Sequence, residues 1–182
     1  MSILYLSGSP RKNSNTDYLL DMARSITGGE FIKLADYEIA PCTSCWGCTK
    51  AGMCTVKDDM TEVLIPKLLD CSALVIGSPV YFNNVSAQVK AFMDRTWCVR
   101  DRLANRIGGA IVVGRRYGAE SAITAIHSYF TKLEMIPANR GVCGIAYASG
   151  EIEQDEEAIA ATRRLAARIQ ELLDMADAKD LG

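Results

Sequence analysis

The sequence predicts an α/β protein: a doubly wound parallel sheet of five strands in the order 2-1-3-4-5, with helices on both faces. Three observations carry that expectation. Short apolar runs alternate with segments of helical periodicity along the chain. Two of the runs, Ala73-Leu74-Val75-Ile76 and Ala110-Ile111-Val112-Val113, are continuous rather than alternating, as strands covered on both faces require. And 182 residues, 49% hydrophobic and 23% charged, suit a single globular domain over residues 1–182, with no repeat, low-complexity tract or linker to divide it.

Taken in order, the first strand is expected at Ile3–Ser7, followed by a helix whose apolar face is Leu19, Met22, Ala23 and Ile26. The second strand is Phe31–Leu34. A cysteine-rich loop over about residues 41–59 comes next, and a helix should follow Asp58-Asp59-Met60. Pro66 interrupts that helix: it removes a hydrogen bond and crowds the carbonyl of Glu62, so a kink or two short pieces are expected. The third strand, Ala73–Ser78, precedes a helix with Val85, Val89, Phe92 and Met93 on one face. Gly109–Gly114 and Val142–Tyr147 complete the strands. In the last helix Glu153, Asp155, Glu156 and Glu157 crowd the start, where the helix dipole favours negative charge. Thr162, Leu165, Ala166, Ile169, Leu172 and Leu173 form its inward stripe.

A net charge of −2 speaks against a nucleic-acid surface, which needs clustered Lys and Arg. No stretch approaches the run of about 20 apolar residues that spans a bilayer. Met1 leads straight into Ile3-Leu4-Tyr5-Leu6 without a basic segment, so no signal peptide is expected. Seven cysteines without a secretory signal point to a reducing cytoplasm, where thiols bind metal or stay free.

Four of those cysteines, Cys42, Cys45, Cys48 and Cys54, fall within thirteen residues at the spacing C-x2-C-x2-C-x5-C. So short a loop can bring four sulfurs to one point but cannot build two disulfides and a core of its own. Clustered thiolates repel one another unless a cation or cluster neutralises them, and three cysteines at x2 spacing match iron–sulfur ligation. Structural zinc is the main rival, although four-cysteine zinc sites pair two knuckles across a longer gap; redox-active or metal-free thiols are a third reading. Cys71, Cys98 and Cys143 lie far from the run and are expected as small buried apolar residues.

Ligands of such sheets bind outside the carboxyl ends of the strands, where the strand order reverses. There the first strand runs into Ser7-Gly8-Ser9-Pro10-Arg11-Lys12-Asn13-Ser14-Asn15-Thr16. Hydroxyls, amides and a guanidinium converging on a helix N-terminus make an anion site. The loop is neither a Walker A motif nor a G-x-G-x-x-G, which shifts weight from ATP and NAD towards a mononucleotide such as FMN; the plain alternative is a helix N-cap by Ser14 or Asn15. After the third strand, Pro79, Val80, Tyr81, Phe82, Asn83 and Asn84 offer polar backbone, aromatics and amides to a flat ring, or else core aromatics and a turn. The fourth strand ends in Gly114-Arg115-Arg116-Tyr117-Gly118, whose glycines allow close approach of backbone to a ligand. His127, the only histidine, sits on an expected helix away from the strand ends and reads as structural.

Together these residues resemble the iron–sulfur flavoproteins within the NADPH-dependent FMN reductase-like, flavodoxin-fold group. The resemblance is carried by Ser7-Gly8-Ser9-Pro10-Arg11-Lys12, the compact cysteine run, Asp58-Asp59-Met60, Pro79-Val80-Tyr81, Lys90-Ala91-Phe92-Met93-Asp94-Arg95 and Ile126-His127. It implies FMN, its phosphate on Ser9, Arg11, Ser14, Asn15 and Thr16, and its ring against Pro79, Val80, Tyr81, Phe82, Asn83 and Asn84 and against Gly114, Arg115, Tyr117 and Gly118. It also implies one [4Fe-4S] cluster on Cys42, Cys45, Cys48 and Cys54, and assembly as a homodimer or dimer of dimers. Such a pair of cofactors connects a one-electron donor such as ferredoxin with a two-electron acceptor, and no side chain need act as acid, base or nucleophile. The alternative is an NAD(P)H-dependent FMN or quinone reductase without a functional cluster; a zinc-stabilised interaction module is a third. Trp46, Met53 and Val56 dress the cysteine loop with apolar surface that a partner subunit is expected to cover.

Overall fold

A computed structural model describes residues 2–180. Parallel strands β1 (Ile3–Ser7), β2 (Glu30–Lys33), β3 (Ala73–Pro79) and β4 (Ile107–Gly114) stand in the order β2-β1-β3-β4. The fifth position is filled by two pieces, β5 (Ile136–Pro137) against Ile107–Gly108 and β6 (Val142–Ile145) against Ile111–Gly114. The expected order 2-1-3-4-5 is therefore present, with its last strand split. Pro137, which lacks an N–H, is tolerated in this position because β5 lies at the sheet's edge.

The helices are α1 (Asn15–Thr27), a short α2 (Gly47–Ala51), α3 (Ile65–Asp70), α4 (Ala87–Arg95), α5 (Ala119–Lys132) and α6 (Glu156–Asp180). The strands alternate in what they face, although their sequences are apolar throughout. Leu4, Leu6, Leu74, Ile76, Ala110 and Val112 pack with Leu68, Val89, Phe92, Ile126 and Phe130 of α3, α4 and α5. Ile3, Tyr5, Val75, Ile111 and Val113 pack with Leu19, Leu20, Ala23, Leu165, Ala166 and Ile169 of α1 and α6. Each buried Leu or Ile contributes about 1.5–3 kcal/mol, so two such layers fix the frame that carries the loops.

Pro66 acts as expected: a π-helical turn at Met60–Leu64 gives way to α3 at Ile65, two short pieces in place of one helix. The fourth strand begins two residues earlier than its apolar run suggests. Gly108 belongs to it, because a Cβ there would meet the Phe130 ring at 2.6 Å. The small residue makes room for the helix above; it does not mark a break. Of the three outlying cysteines only Cys71 is buried; Cys98 is half-buried and Cys143 exposed, so the expectation of three buried thiols is corrected to one. Cys143 stands on β6, which pairs with β4 at the edge of the sheet.

Candidate functional site

The loops leaving β1, β3, β4 and β6 all emerge at the carboxyl edge of the sheet. The loop after β1 is held in place first by backbone: the Gly8 amide donates to the Gly77 carbonyl at 2.8 Å, and the Ser86 hydroxyl donates to the Gly8 carbonyl at 2.7 Å. A Cβ on Gly8 would lie 2.1 Å from Val89, so glycine is what lets this loop rest on α4. Ser9 and Thr16 are buried and Arg11 is exposed. The Ser14 hydroxyl accepts from the Asp17 amide at 3.0 Å and its carbonyl from Tyr18, which leaves the Asn15 and Thr16 amides as the open donors of the first helical turn. Asp17, which would repel an anion there, is neutralised: it pairs with Lys33, accepts from the Ser7 hydroxyl, and Lys33 also donates to the Arg11 carbonyl at 2.6 Å. The Asn15 side chain is committed elsewhere. It donates to the Ala148 carbonyl and accepts from the Gly150 amide, both at 2.8 Å, and so ties the loop after β6 to the anion loop. Ser149 adds a bond to the Asn13 carbonyl. This third wall, residues 146–150, carried no motif; only the helix-capping pattern of Glu151, which accepts from the Tyr147 and Ala148 amides, marks it in the sequence.

On the other side of the crevice, Val80 donates to the Val113 carbonyl and Tyr81 pairs with Asn84 across a tight turn. Phe82 and Asn83 occupy its tip at φ 49° and 59°, as a twisted two-residue hairpin requires. Asn is at home there; Phe is not, and its ring is fully exposed. The loop after β4 packs directly on this turn. Gly118 has φ 83°, and a Cβ on it would stand 2.6 Å from the Asn83 backbone, while one on Gly114 would meet Val80 at 2.9 Å. Arg115 and Tyr117 are exposed, with the Arg116 guanidinium 5.2 Å from the Tyr117 ring. Pro79–Asn84 and Gly114–Gly118 thus form one rigid wall facing the anion loop across the crevice where strand order reverses.

The cysteine loop leaves β2 and crosses to α4. Left-handed residues Ser44 and Trp46 turn the chain into α2, and Gly52 caps that helix by donating to the Cys48 carbonyl at 2.9 Å. Cys42, Cys45, Cys48 and Cys54 line a single cavity of about 710 Å³, together with Cys98, Met93, Trp97, Tyr129 and, from the ring-side turn, Asn84. Trp46 is 62% exposed, whereas Met53 folds against the protein's own core, so the apolar dressing of the loop divides. The Gly47 amide and then the Thr55 hydroxyl lower the pKa of the exposed Cys45 thiol. Burial pushes the Cys71 thiol up to about 11. Since the thiolate is the nucleophile, alkylation of the metal-free protein near neutral pH is expected to label Cys45 first and Cys71 last, by peptide mass mapping. Early labelling of Cys71 would contradict its burial.

A buried ion pair joins this loop to α4 and was not legible as such: Arg95 donates to both carboxylate oxygens of Asp58, at 2.7 and 2.9 Å. Burial alone would raise the Asp58 pKa; Arg95 and the Ala40 and Thr61 amides outweigh it and hold the carboxyl low. Burial likewise opposes the Arg95 charge, and Asp58 and the neighbouring Cys54 sulfur restore it. His127 lies apart, in a groove with Cys143 and residues of α5 and α6; burial holds its pKa down, and it touches neither loop.

The sequence profile of NADPH-dependent FMN reductases matches residues 1–150. An iron–sulfur flavoprotein of Methanocaldococcus jannaschii is 36% identical over 96% of this chain and 98% of its own length. One from Archaeoglobus fulgidus is 35% identical over 96% of each. Among solved structures, the Trp repressor binding protein of Bacillus subtilis superposes with a TM-score of 0.70 at 21% identity, covering 90% of this chain and 96% of that one. An archaeal flavodoxin superposes at 0.62 and 15% identity, covering 93% and 99%. These last two establish the fold alone. No helix among the described residues is long and apolar enough to cross a membrane. With the profile spanning most of the chain and the relatives nearly all of it, the chain belongs to the NADPH-dependent FMN reductase family and, within it, to the iron–sulfur flavoproteins, and it is an FMN-dependent oxidoreductase.

Proposed function

We propose that the protein is a cytoplasmic electron-transfer flavoprotein that carries FMN in the crevice and a [4Fe-4S] cluster in the cysteine loop. It would pass electrons between a one-electron donor such as ferredoxin and a two-electron acceptor. The observation that supports this most is the shared cavity: four thiols in one space that also reaches Asn84, on the wall offered to the flavin ring. The donor set suits the cluster, being all sulfur, with the Gly47 amide at Cys45 and the Arg95 guanidinium at Cys54 to offset thiolate charge. The names borne by the archaeal relatives point the same way. FMN would supply one- and two-electron chemistry and the cluster one-electron chemistry.

The chain's own part is placement. The open amides at the α1 N-terminus, with Ser9, Arg11, Ser14 and Thr16, hold the phosphate, and Asn15 closes the third wall beside it. The turn at Tyr81–Asn84 and the Gly114–Gly118 loop hold the ring and keep it next to the cysteine cavity. Trp46, Phe82 and Tyr117 stay exposed around that junction, which supports a homodimer or dimer of dimers whose partner covers it.

Anaerobic preparation with adequate iron tests the reading: brown protein with about four iron and four sulfide per FMN is expected, sedimenting as a dimer or tetramer. A second reading, an NAD(P)H-dependent FMN or quinone reductase without a cluster, draws on one observation. Among the described residues no group of three or more His, Cys, Asp or Glu is gathered closely enough to hold a metal ion. Yellow, iron-free protein that oxidises NAD(P)H would establish that reading and overturn the first.

A further inference from the structure

Arg95 closes α4 with its side chain only 1% exposed. A guanidinium that deep needs acceptors for its donors, because an unpaired buried charge is costly. Nη1 donates to the Ala40 carbonyl and to Asp58, both at 2.7 Å. Nη2 donates to the other Asp58 oxygen at 2.9 Å, to the Thr61 hydroxyl at 3.1 Å and to the Val56 carbonyl at 3.4 Å. These acceptors have a common location. Ala40 lies just before Cys42 and Val56 just after Cys54, so one side chain grips both ends of the cysteine loop. Asp58 shares the grip by accepting from the Ala40 amide at 3.0 Å, and the Thr61 hydroxyl donates to the Val56 carbonyl at 2.6 Å. One donor is left over: Nε is buried with no acceptor, on a residue that lines the same cavity as Cys54.

We propose that Arg95, oriented by Asp58, is the positioning residue of the cluster loop: it fixes the distance between the loop's two ends and offers its spare Nε–H to the sulfur of Cys54. The proposal rests on the cluster reading above. Its first consequence is pre-organisation. The loop ends are held before any metal arrives, so less chain entropy is lost on loading. Its second is electrostatic. Reduction adds negative charge to the cluster, and a buried cation with an N–H directed at a ligand sulfur favours the reduced form, raising the potential. Lysine cannot replace it, since a single ammonium cannot serve Asp58 bidentately and reach both carbonyls as well.

The test uses anaerobically loaded wild type, Arg95→Lys and Asp58→Asn, with iron, sulfide and FMN per chain and the cluster potential from a redox titration followed by electron paramagnetic resonance. Expected is unchanged FMN, iron loading at limiting iron reduced about tenfold or more in Arg95→Lys, as for loss of a supporting partner of a metal ligand, and a lesser reduction in Asp58→Asn. The clusters that remain in Arg95→Lys should reduce at least about tenfold less readily at equilibrium, a shift of about 59 mV to the negative for one electron. A wild type that binds iron and sulfide while Arg95→Lys matches it in loading and potential overturns this proposal and leaves the cluster reading standing. A wild type that binds neither overturns the cluster reading, and this proposal with it. Loss of FMN and of helical circular dichroism in both variants would assign the pair to general folding and overturn it too. If Arg95→Lys alone unfolds, the Asp58→Asn loading decides: reduced iron at limiting supply supports the proposal, and wild-type loading overturns it.

Discussion

Replacing any one of Cys42, Cys45, Cys48 or Cys54 by Ala is expected to give a yellow protein: FMN bound in full, iron and sulfide down by at least about tenfold, the least that losing even a supporting partner costs a metal site. The separation follows from the geometry. FMN is assigned to loops leaving β1, β3 and β4, whose bonds among Gly8, Gly77 and Ser86 and between Val80 and Val113 include no cysteine. The cysteine loop is fastened independently, through Asp58, Asp59 and Arg95, with the Glu38 amide donating to Asp59 at 2.7 Å. Cys143→Ala should leave both cofactors in place, because Cys143 lies in the groove between α5 and α6. The informative control is Cys98. Its thiol lines the same cavity as the four but donates to the Arg95 carbonyl at 3.4 Å. Cys98→Ala is expected to keep the cluster and Cys54→Ala to lose it. The reverse result, read from iron content and visible absorption, would replace Cys54 by Cys98 in the ligand set.

The parts of this architecture that are local in sequence were legible. Continuous apolar runs named the strands, Pro66 named its break, and the Ser7–Thr16 stretch named a helix N-terminus with open amides. What could not be read depends on partners far apart in the chain. Asp58 and Arg95, 37 residues apart, look separately like solvated helix charges, and only their meeting makes a buried clamp. Asn15 looks like a phosphate ligand or a cap, yet its amide is used on a loop more than 130 residues away. Cys143 looks apolar enough to bury, but it stands on β6 beside an open groove between α5 and α6, a property of the packing and not of the residue. β5 is too short for periodicity to register, since two residues have no pattern.

The double variant Arg11→Ala, Thr16→Val is expected to weaken FMN binding by at least about a hundredfold. Hydrogen bonds to a charged group contribute about 1.5–3 kcal/mol each, and every 1.4 kcal/mol is a factor of ten. Two lost together on a phosphate therefore reach that range even if the open Asn15 and Thr16 amides continue to bind. Valine is the informative substitution at Thr16. This side chain is 2% exposed, and its methyl lies where a Cβ on Gly77 would meet it at 2.9 Å, so alanine would leave a gap between α1 and β3. Valine keeps that packing and removes only the hydroxyl. Arg11 is exposed, and its structural bond is made by its carbonyl, to Lys33, so shortening its side chain leaves the loop tethered. The Asp17–Lys33 pair also remains, and with it the neutral background that lets an anion approach. Titration of FMN into deflavinated protein, followed by quenching of flavin fluorescence, measures the effect. An unchanged affinity would place the phosphate outside this loop, and the crevice between the β1 and β3 loops would then have to bind the flavin by its ring alone.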